Sequence, residues 1–170
     1  MSEDLERCYN AAVRILNFRF NSAEELRRKL TSKAFDRDVI VQTLERLRRE
    51  KWLDDERFAG AFVRTRQLQG RGRLRIRREL SAAGVSRENA ADALAANRDE
   101  DAELAAVTAL CTKKMAMIAR RHGDEYVRSA DGRKKIAAYL LRQGYEFALV
   151  RDVISTCIRQ AAAGQQNSGD

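Results

Sequence analysis

Five apolar residues recur at one fixed set of offsets in three places along the chain, and this register limits more than any other feature what the chain can fold into. Leu26, Leu30, Phe35, Ile40 and Leu44 lie at offsets 0, +4, +9, +14 and +18. Ile76, Leu80, Val85, Ala90 and Leu94 repeat them, as do Ile136, Leu140, Tyr145, Val150 and Ile154. The first two copies stand 50 residues apart and the last two 60. The pair at 0 and +4 falls on one face of a helix and the pair at +14 and +18 on one face of the next, with a turn between. The turns read Ala34-Phe35-Asp36, Gly84-Val85-Ser86 and Gly144-Tyr145-Glu146. Glycine suits the left-handed residue that ends a helix, and Asp36 or Ser86 suits the N-cap of the helix that follows. Ser22 with Glu25 forms a capping-box pattern for the second helix of the first copy. A further amphipathic segment precedes each pair, at Leu5 to Phe20, Asp54 to Gln69 and Glu100 to Arg121.

A short isolated helix is marginal in water and cannot bury its apolar stripe alone, whereas three packed together can. Proline is absent, charged residues make up 34% of the chain and aromatic residues only 6%, which favours helices over strands. The expected fold is all-α: an elongated array of three tandem three-helix repeats with helices joined by short turns. The repeats are placed at 1–51, 52–98 and 99–160. The extra ten residues of the third are assigned to a loop insertion near 123–131. Residues 161–170 are Ala, Gly, Gln, Asn, Ser and Asp and read as a disordered tail with too little apolar surface to order itself. Tyr9, Val13 and Leu16, then Phe58, Phe62 and Leu68, then Leu104, Val107, Cys111 and Ile118 are the apolar positions of the three leading helices. Trp52, Phe58 and Phe62 are expected in the core.

Lys and Arg number 33 against 25 Asp and Glu, giving a net charge of +8 and a pI near 9.8. Such a balance favours an anionic partner. Cys8, Cys111 and Cys157 are scattered among apolar helical positions with no C-x-x-C pair, as expected of reduced core thiols in a cytoplasmic protein. No apolar run approaches the roughly 20 residues that span a bilayer, and the start, Met1-Ser2-Glu3-Asp4, is acidic where a signal peptide is basic. Catalysis lacks its groups. His122 is the sole histidine and follows Arg120-Arg121 near a helix end, where it serves to cap carbonyls. No Cys and His spacing suits zinc, Asp99-Glu100-Asp101 reads as the acidic opening of a helix, and Gly70-x-Gly72 lacks the lysine and the preceding strand of a phosphate loop. The chain reads as a binding protein and not an enzyme, with no cofactor and no metal.

Basic residues recur with the register: Arg27-Arg28-Lys29 in the first copy, Arg77-Arg78 in the second and Lys134-Lys135 in the third. The densest run surrounds the second copy, where Arg64, Arg66, Arg71, Arg73, Arg75, Arg77, Arg78 and Arg87 have only Glu79 among them as counter-charge. Arginine presents a planar fork to carboxylates and phosphates, so this run suits an acidic protein surface or a nucleic-acid backbone. Arg73 and Arg77 share a face by their spacing, as do Arg71, Arg75 and Arg78. The plainer reading is a solvated helix face. Asp54-Asp55-Glu56-Arg57 admits two readings as well. Acids at a helix start complement its dipole and Asp54 caps free amides, or else Asp55 or Glu56 meets a basic patch on a partner.

Three stretches together carry a family resemblance: Ser22-Ala23-Glu24-Glu25-Leu26-Arg27-Arg28-Lys29-Leu30, Trp52-Leu53-Asp54-Asp55-Glu56-Arg57-Phe58-Ala59, and Arg75-Ile76-Arg77-Arg78-Glu79-Leu80-Ser81-Ala82-Ala83-Gly84-Val85. In this order and spacing the chain resembles the RecX family of bacterial regulatory proteins, from about Ala12 to Ile158. The resemblance implies a modulator of the RecA recombinase, and the chain is expected to be a monomer. Such a protein lies in the groove of the RecA nucleoprotein filament, bridges neighbouring subunits and restrains ATPase activity, filament growth and strand exchange; a weak contact to the nucleic-acid backbone is a separate expectation from the basic charge. A rival reading is a helix-turn-helix DNA-binding regulator, since Leu80 to Ser86 has the form of its turn and a helix starting at Ser86 presents Arg87 and Asn89 to base edges. Against that, the matching helix of the first copy opens Asp36-Arg37-Asp38, which would set acid against phosphate.

Overall fold

Each apolar pair of the register lies on a helix in the computed structural model, which describes residues 3–166 of the chain and side chains through residue 163. The helices are α1 (Glu3–Phe18), α2 (Ala23–Thr31), α3 (Arg37–Arg49), α4 (Asp55–Leu68), α5 (Arg73–Ala82), α6 (Arg87–Ala96), α7 (Glu100–His122), α8 (Asp124–Arg128), α9 (Ala130–Gln143) and α10 (Phe147–Gln166). The fold is all-α. Every position of the repeated register is buried except Phe35, which is half-buried. Full burial of one such aliphatic side chain stabilises by about 1.5–3 kcal/mol, so the register accounts for much of the core.

Two expectations are corrected. The segment near 123–131 is not a loop: Gly123, at φ +85°, ends α7, and α8 follows at once. Asp124 and Glu125 open α8, where acids are favoured, and its Val127 is buried in the core. Ser129 then caps α9 by accepting a hydrogen bond from the Gly132 amide at 3.1 Å. The tail placed at 161–170 is helical as far as Gln166, because Ala161 to Ala163 are strong helix formers and no proline stops them. Residues 167–170 of that stretch lie outside the described residues.

Packing defines two compact units, one comprising residues up to Arg64 with Arg77–Asn97, the other Thr65–Ile76 with Arg98 onward. In the first unit Cys8, Ala12, Leu26, Leu30, Ile40, Leu44, Leu47 and Leu53 form one core. The turn between α5 and α6 seats on the start of α2. Ser22 caps α2 by accepting from the Glu25 amide at 3.0 Å and donates its own proton to the Ala83 carbonyl. Arg28 donates to the Ala82 carbonyl at 3.0 Å. Gly84 has φ +78°, and a Cβ built on it would lie 2.3 Å from the Cβ of Glu24.

In the second unit Val107, Cys111, Ile118, Val127, Ile136, Leu140, Tyr145, Val150, Val153, Ile154 and Cys157 form a core. Here the turn between α9 and α10 seats on the start of α5. The Gly72 amide donates to the Gln143 carbonyl at 2.9 Å and the Leu74 amide to the Gly144 carbonyl at 3.0 Å. The Tyr145 hydroxyl donates to the Gly70 carbonyl at 3.2 Å. Gly144 has φ +95°, and a Cβ there would lie 2.3 Å from the Cβ of Arg75 and 2.4 Å from its backbone nitrogen. Gly72 and Gln143 stand where the repeat register places Ser22 and Ala83, 50 and 60 residues earlier. One kind of joint, a turn set on a helix start, therefore occurs once in each unit.

Candidate partner-binding surface

The arginine run, continuous in sequence, has two fates. Arg64, Arg77 and Arg78 belong to the first unit, are exposed, and have no ion-pair partner among the described residues. Arg87, at the start of α6, is exposed as well. Arg66, Arg71, Arg73 and Arg75 belong to the second unit and are half-buried. Arg71 and Arg75 both donate to the side-chain carbonyl of Gln143, the latter at 3.4 Å. Arg66 donates to Gln69 at 2.9 Å. Arg73 faces Glu103, whose carboxyl is pushed up by burial and drawn partly back by that guanidinium. The spacing that sets Arg73 and Arg77 on one face thus joins a half-buried residue to an exposed one, and the α5 cations without internal work are Arg77 and Arg78.

The basic run of the first copy is engaged as well. Arg27 and Arg28 both hold Glu24, with contacts of 2.7 and 2.9 Å, and the Arg27 hydrogen bond above all, then Arg28, keeps the Glu24 carboxyl at about 2. Lys29 is half-buried and donates to Asn21 at 2.7 Å; burial lowers its pKa. Of the acidic motif, Asp54 caps α4 by accepting from the Arg57 amide at 2.9 Å. Asp55 is half-buried and accepts from the Ala23 amide at 2.8 Å, which satisfies a free amide at the start of α2. Glu56 is exposed. Phe58 is buried and Phe62 half-buried, but Trp52 is 46% exposed.

Three exposed aromatics escaped the pattern, one of them Phe147 at the start of α10. Phe18 is 90% exposed, and Phe20 lies under the Arg57 guanidinium at 5.4 Å. Phe18 falls off the stripe that buries Cys8 and Ala12 in α1, and Phe20 lies beyond the end of that helix; that departure is the signal the sequence carried. The cysteines are buried and free. Burial pushes the Cys8 thiol up, and the Cys111 thiol to about 12, so both are inert at neutral pH. His122 ends α7 exposed, its ring 4.8 Å from that of Tyr126.

Three-helix groups joined turn to helix start, with Arg77 and Arg78 exposed on α5 and without an ion-pair partner among the described residues, define an all-helical module. Two family models match it, described as the first three-helix domain of RecX over residues 8–47 and the second over 54–94. The regulatory protein RecX of Xanthomonas axonopodis pv. citri (strain 306) is 36% identical over 140 residues, 82% of this chain and 81% of that one. That of Clostridium perfringens (strain SM101 / Type A) is 30% identical over 152 residues, 89% of this chain and 69% of that one. The chain belongs to the RecX family of regulatory proteins. The fold agrees with the crystal structure of RecX from Lactobacillus salivarius at a TM-score of 0.76 and 24% identity, covering 92% of this chain and 98% of the other. A second RecX crystal structure has a TM-score of 0.77 at 17% identity, over 89% and 71%. No described helix is long and apolar enough to cross a membrane.

Proposed function

We propose that this chain is a cytoplasmic, non-enzymatic modulator of RecA that binds the RecA nucleoprotein filament as a monomer and restrains its ATPase, growth and strand exchange. Family membership supports the class of protein. The observation that carries the contact is the division of the arginine run: Arg77 and Arg78 stand exposed with no ion-pair partner among the described residues, while their neighbours Arg71, Arg73 and Arg75 are half-buried in the other unit. A guanidinium that holds nothing at home is free to take carboxylates or phosphates of a partner at little cost in fold stability. Arg64 and Glu56 are the secondary contacts of this reading, and any touch on the nucleic-acid backbone is weak. Arg27, Arg28, Lys29, Arg66, Arg71, Arg73, Arg75 and Asp55 serve mainly to hold the chain together.

The test is inhibition of RecA ATPase and strand exchange by Arg77→Glu/Arg78→Glu, with urea unfolding in parallel. Inhibition is expected to fall by a factor of about 10 or more, as for loss of two charge-assisted contacts, with the unfolding midpoint unmoved. Full inhibition by the double variant refutes the assignment. A helix-turn-helix reader of duplex DNA would instead select one duplex sequence and ignore RecA. The turn such a reader needs is the one seated on α2 through Ser22 and Arg28.

A further inference from the structure

A joint made of a turn on one side and a helix start on the other is used once in each unit, and the repeat register leaves one unused half at each end of the set. The unused turn is that of the first copy, where Ala34 stands 50 residues before Gly84. Ala34 is exposed and keeps the left-handed backbone of its counterparts, at φ +61°. Phe35 beside it is half-buried, whereas its counterparts Val85 and Tyr145, under seated turns, are 6% and 2% exposed. The unused helix start is that of α9, where Gly132 stands 60 residues after Gly72. It is not bare. A Cβ on Gly132 would lie 2.0 Å from the Tyr126 carbonyl oxygen and 2.9 Å from that of Val127. A Cβ on Gly72 would lie 2.4 Å from the carbonyl carbon and oxygen of Gly144. The backbone of α8 thus covers Gly132 as the Gly144 turn covers Gly72.

We infer that Ala34 and α8 are the two stops of a head-to-tail joint whose partner is a second copy of this chain. A joint with unlike halves does not close on itself and propagates wherever both halves are open, and repeat proteins need altered terminal repeats for that reason. The occupant follows from the register: the turn at Ala34 is equivalent in position to the two turns that seat, and the start of α9 to the two that receive them. Each half is closed by different means. At Gly84 and at Gly144 an added Cβ would fall 2.3 Å from the Cβ it faces, so the methyl of Ala34 prevents its turn from seating. At the other end α8, within the ten-residue excess of the third copy, fills the seat from within the chain. Glycine would relieve the backbone of residue 34, yet alanine stands there, as a stop requires.

The test measures mass by light scattering across a wide range of concentration for the full chain and its variants. Ala34→Gly opens the turn, and Val127→Asp removes the apolar anchor of α8. The combined variant is expected to associate, its weight-average mass rising about twofold or more with concentration, while each single variant and the parent stay at the mass of one chain. A combined variant that keeps its helical circular dichroism and stays at one-chain mass overturns the proposal, as does association of the parent or of either single variant. Because Val127 also contributes to the core, the measurement is repeated on Ala34→Gly with residues 124–128 replaced by a glycine-serine linker of equal length. Association of that folded variant supports the proposal. Loss of helical signal in both forms overturns it, since α8 would then be an element the fold requires and not a stop added to it.

Discussion

The joints of the two units occupy equivalent positions but are held by different chemistry. In the first, side chains do the holding: the Ser22 hydroxyl and the Arg28 guanidinium donate to the carbonyls of Ala83 and Ala82. In the second, backbone amides of Gly72 and Leu74 donate to the carbonyls of Gln143 and Gly144, helped by the hydroxyl of Tyr145. A hydroxyl reaches across a gap, whereas an amide must be brought to the carbonyl by the chain itself. Two backbones can meet only where no Cβ intervenes, hence glycine at 72 as well as at 144. The first joint therefore tolerates a Cβ at Ser22 and depends on that residue's oxygen. The second depends on empty space.

The largest effect expected from this contrast is at the second joint. Gly144→Ala forces alanine to φ +95° and drives its Cβ against both the side chain and the backbone of Arg75. Backbone strain and overpacking together are expected to cost about 3 kcal/mol, read as a lower urea midpoint. Gly84→Ala suffers the same kind of strain at φ +78° but meets only the Glu24 side chain, so a cost of about 2 kcal/mol is expected. Equal losses at the two glycines would break the comparison. Ser22→Ala comes next. It removes both the cap on the Glu25 amide and the bond to Ala83, at about 1–2 kcal/mol. At the second joint Arg71→Ala spares the backbone bonds and is expected to cost less, about 0.5–1 kcal/mol.

Much of this was legible in the sequence because burial follows periodicity. The offsets of the register marked which residues face inward, all but the half-buried Phe35, and the turn chemistry located Gly84, Gly144 and the Ser22 and Ser86 caps, whereas Asp36 makes no side-chain bond at the start of α3. Periodicity fails where a contact is long-range or an element is short. Arg71 and Gln143 lie 72 residues apart, and helical spacing reveals which side chains share a face but not what arrives to cover it. The five residues of α8 are too few for a periodic signal. Leu68 is 90% exposed although it is spaced like a core residue, since it ends α4 where the apolar stripe runs out. The arginine run was visible as a run, but its division into holding and free residues depends on packing.

The smallest expected effect concerns Glu24, the residue the Gly84 turn faces. Arg27 and Arg28 lower its carboxyl from an ordinary 4.5 to about 2 in the folded chain. A carboxyl that is more acidic when folded stabilises the fold fully above its ordinary value and loses that contribution as pH falls toward its folded value. The clasp should therefore weaken between about pH 4.5 and 2, while the Ser22 and Gly72 hydrogen bonds, which involve no titrating group, should not. Glu24→Gln is expected to lower stability at neutral pH by no more than about 1 kcal/mol, the usual worth of an exposed pair, and the gap to the parent should close near pH 2. Urea unfolding of both forms across that window separates the two contributions. A gap that persists at the acid end would mean that Glu24 supports the first joint by packing against Gly84 rather than through its charge.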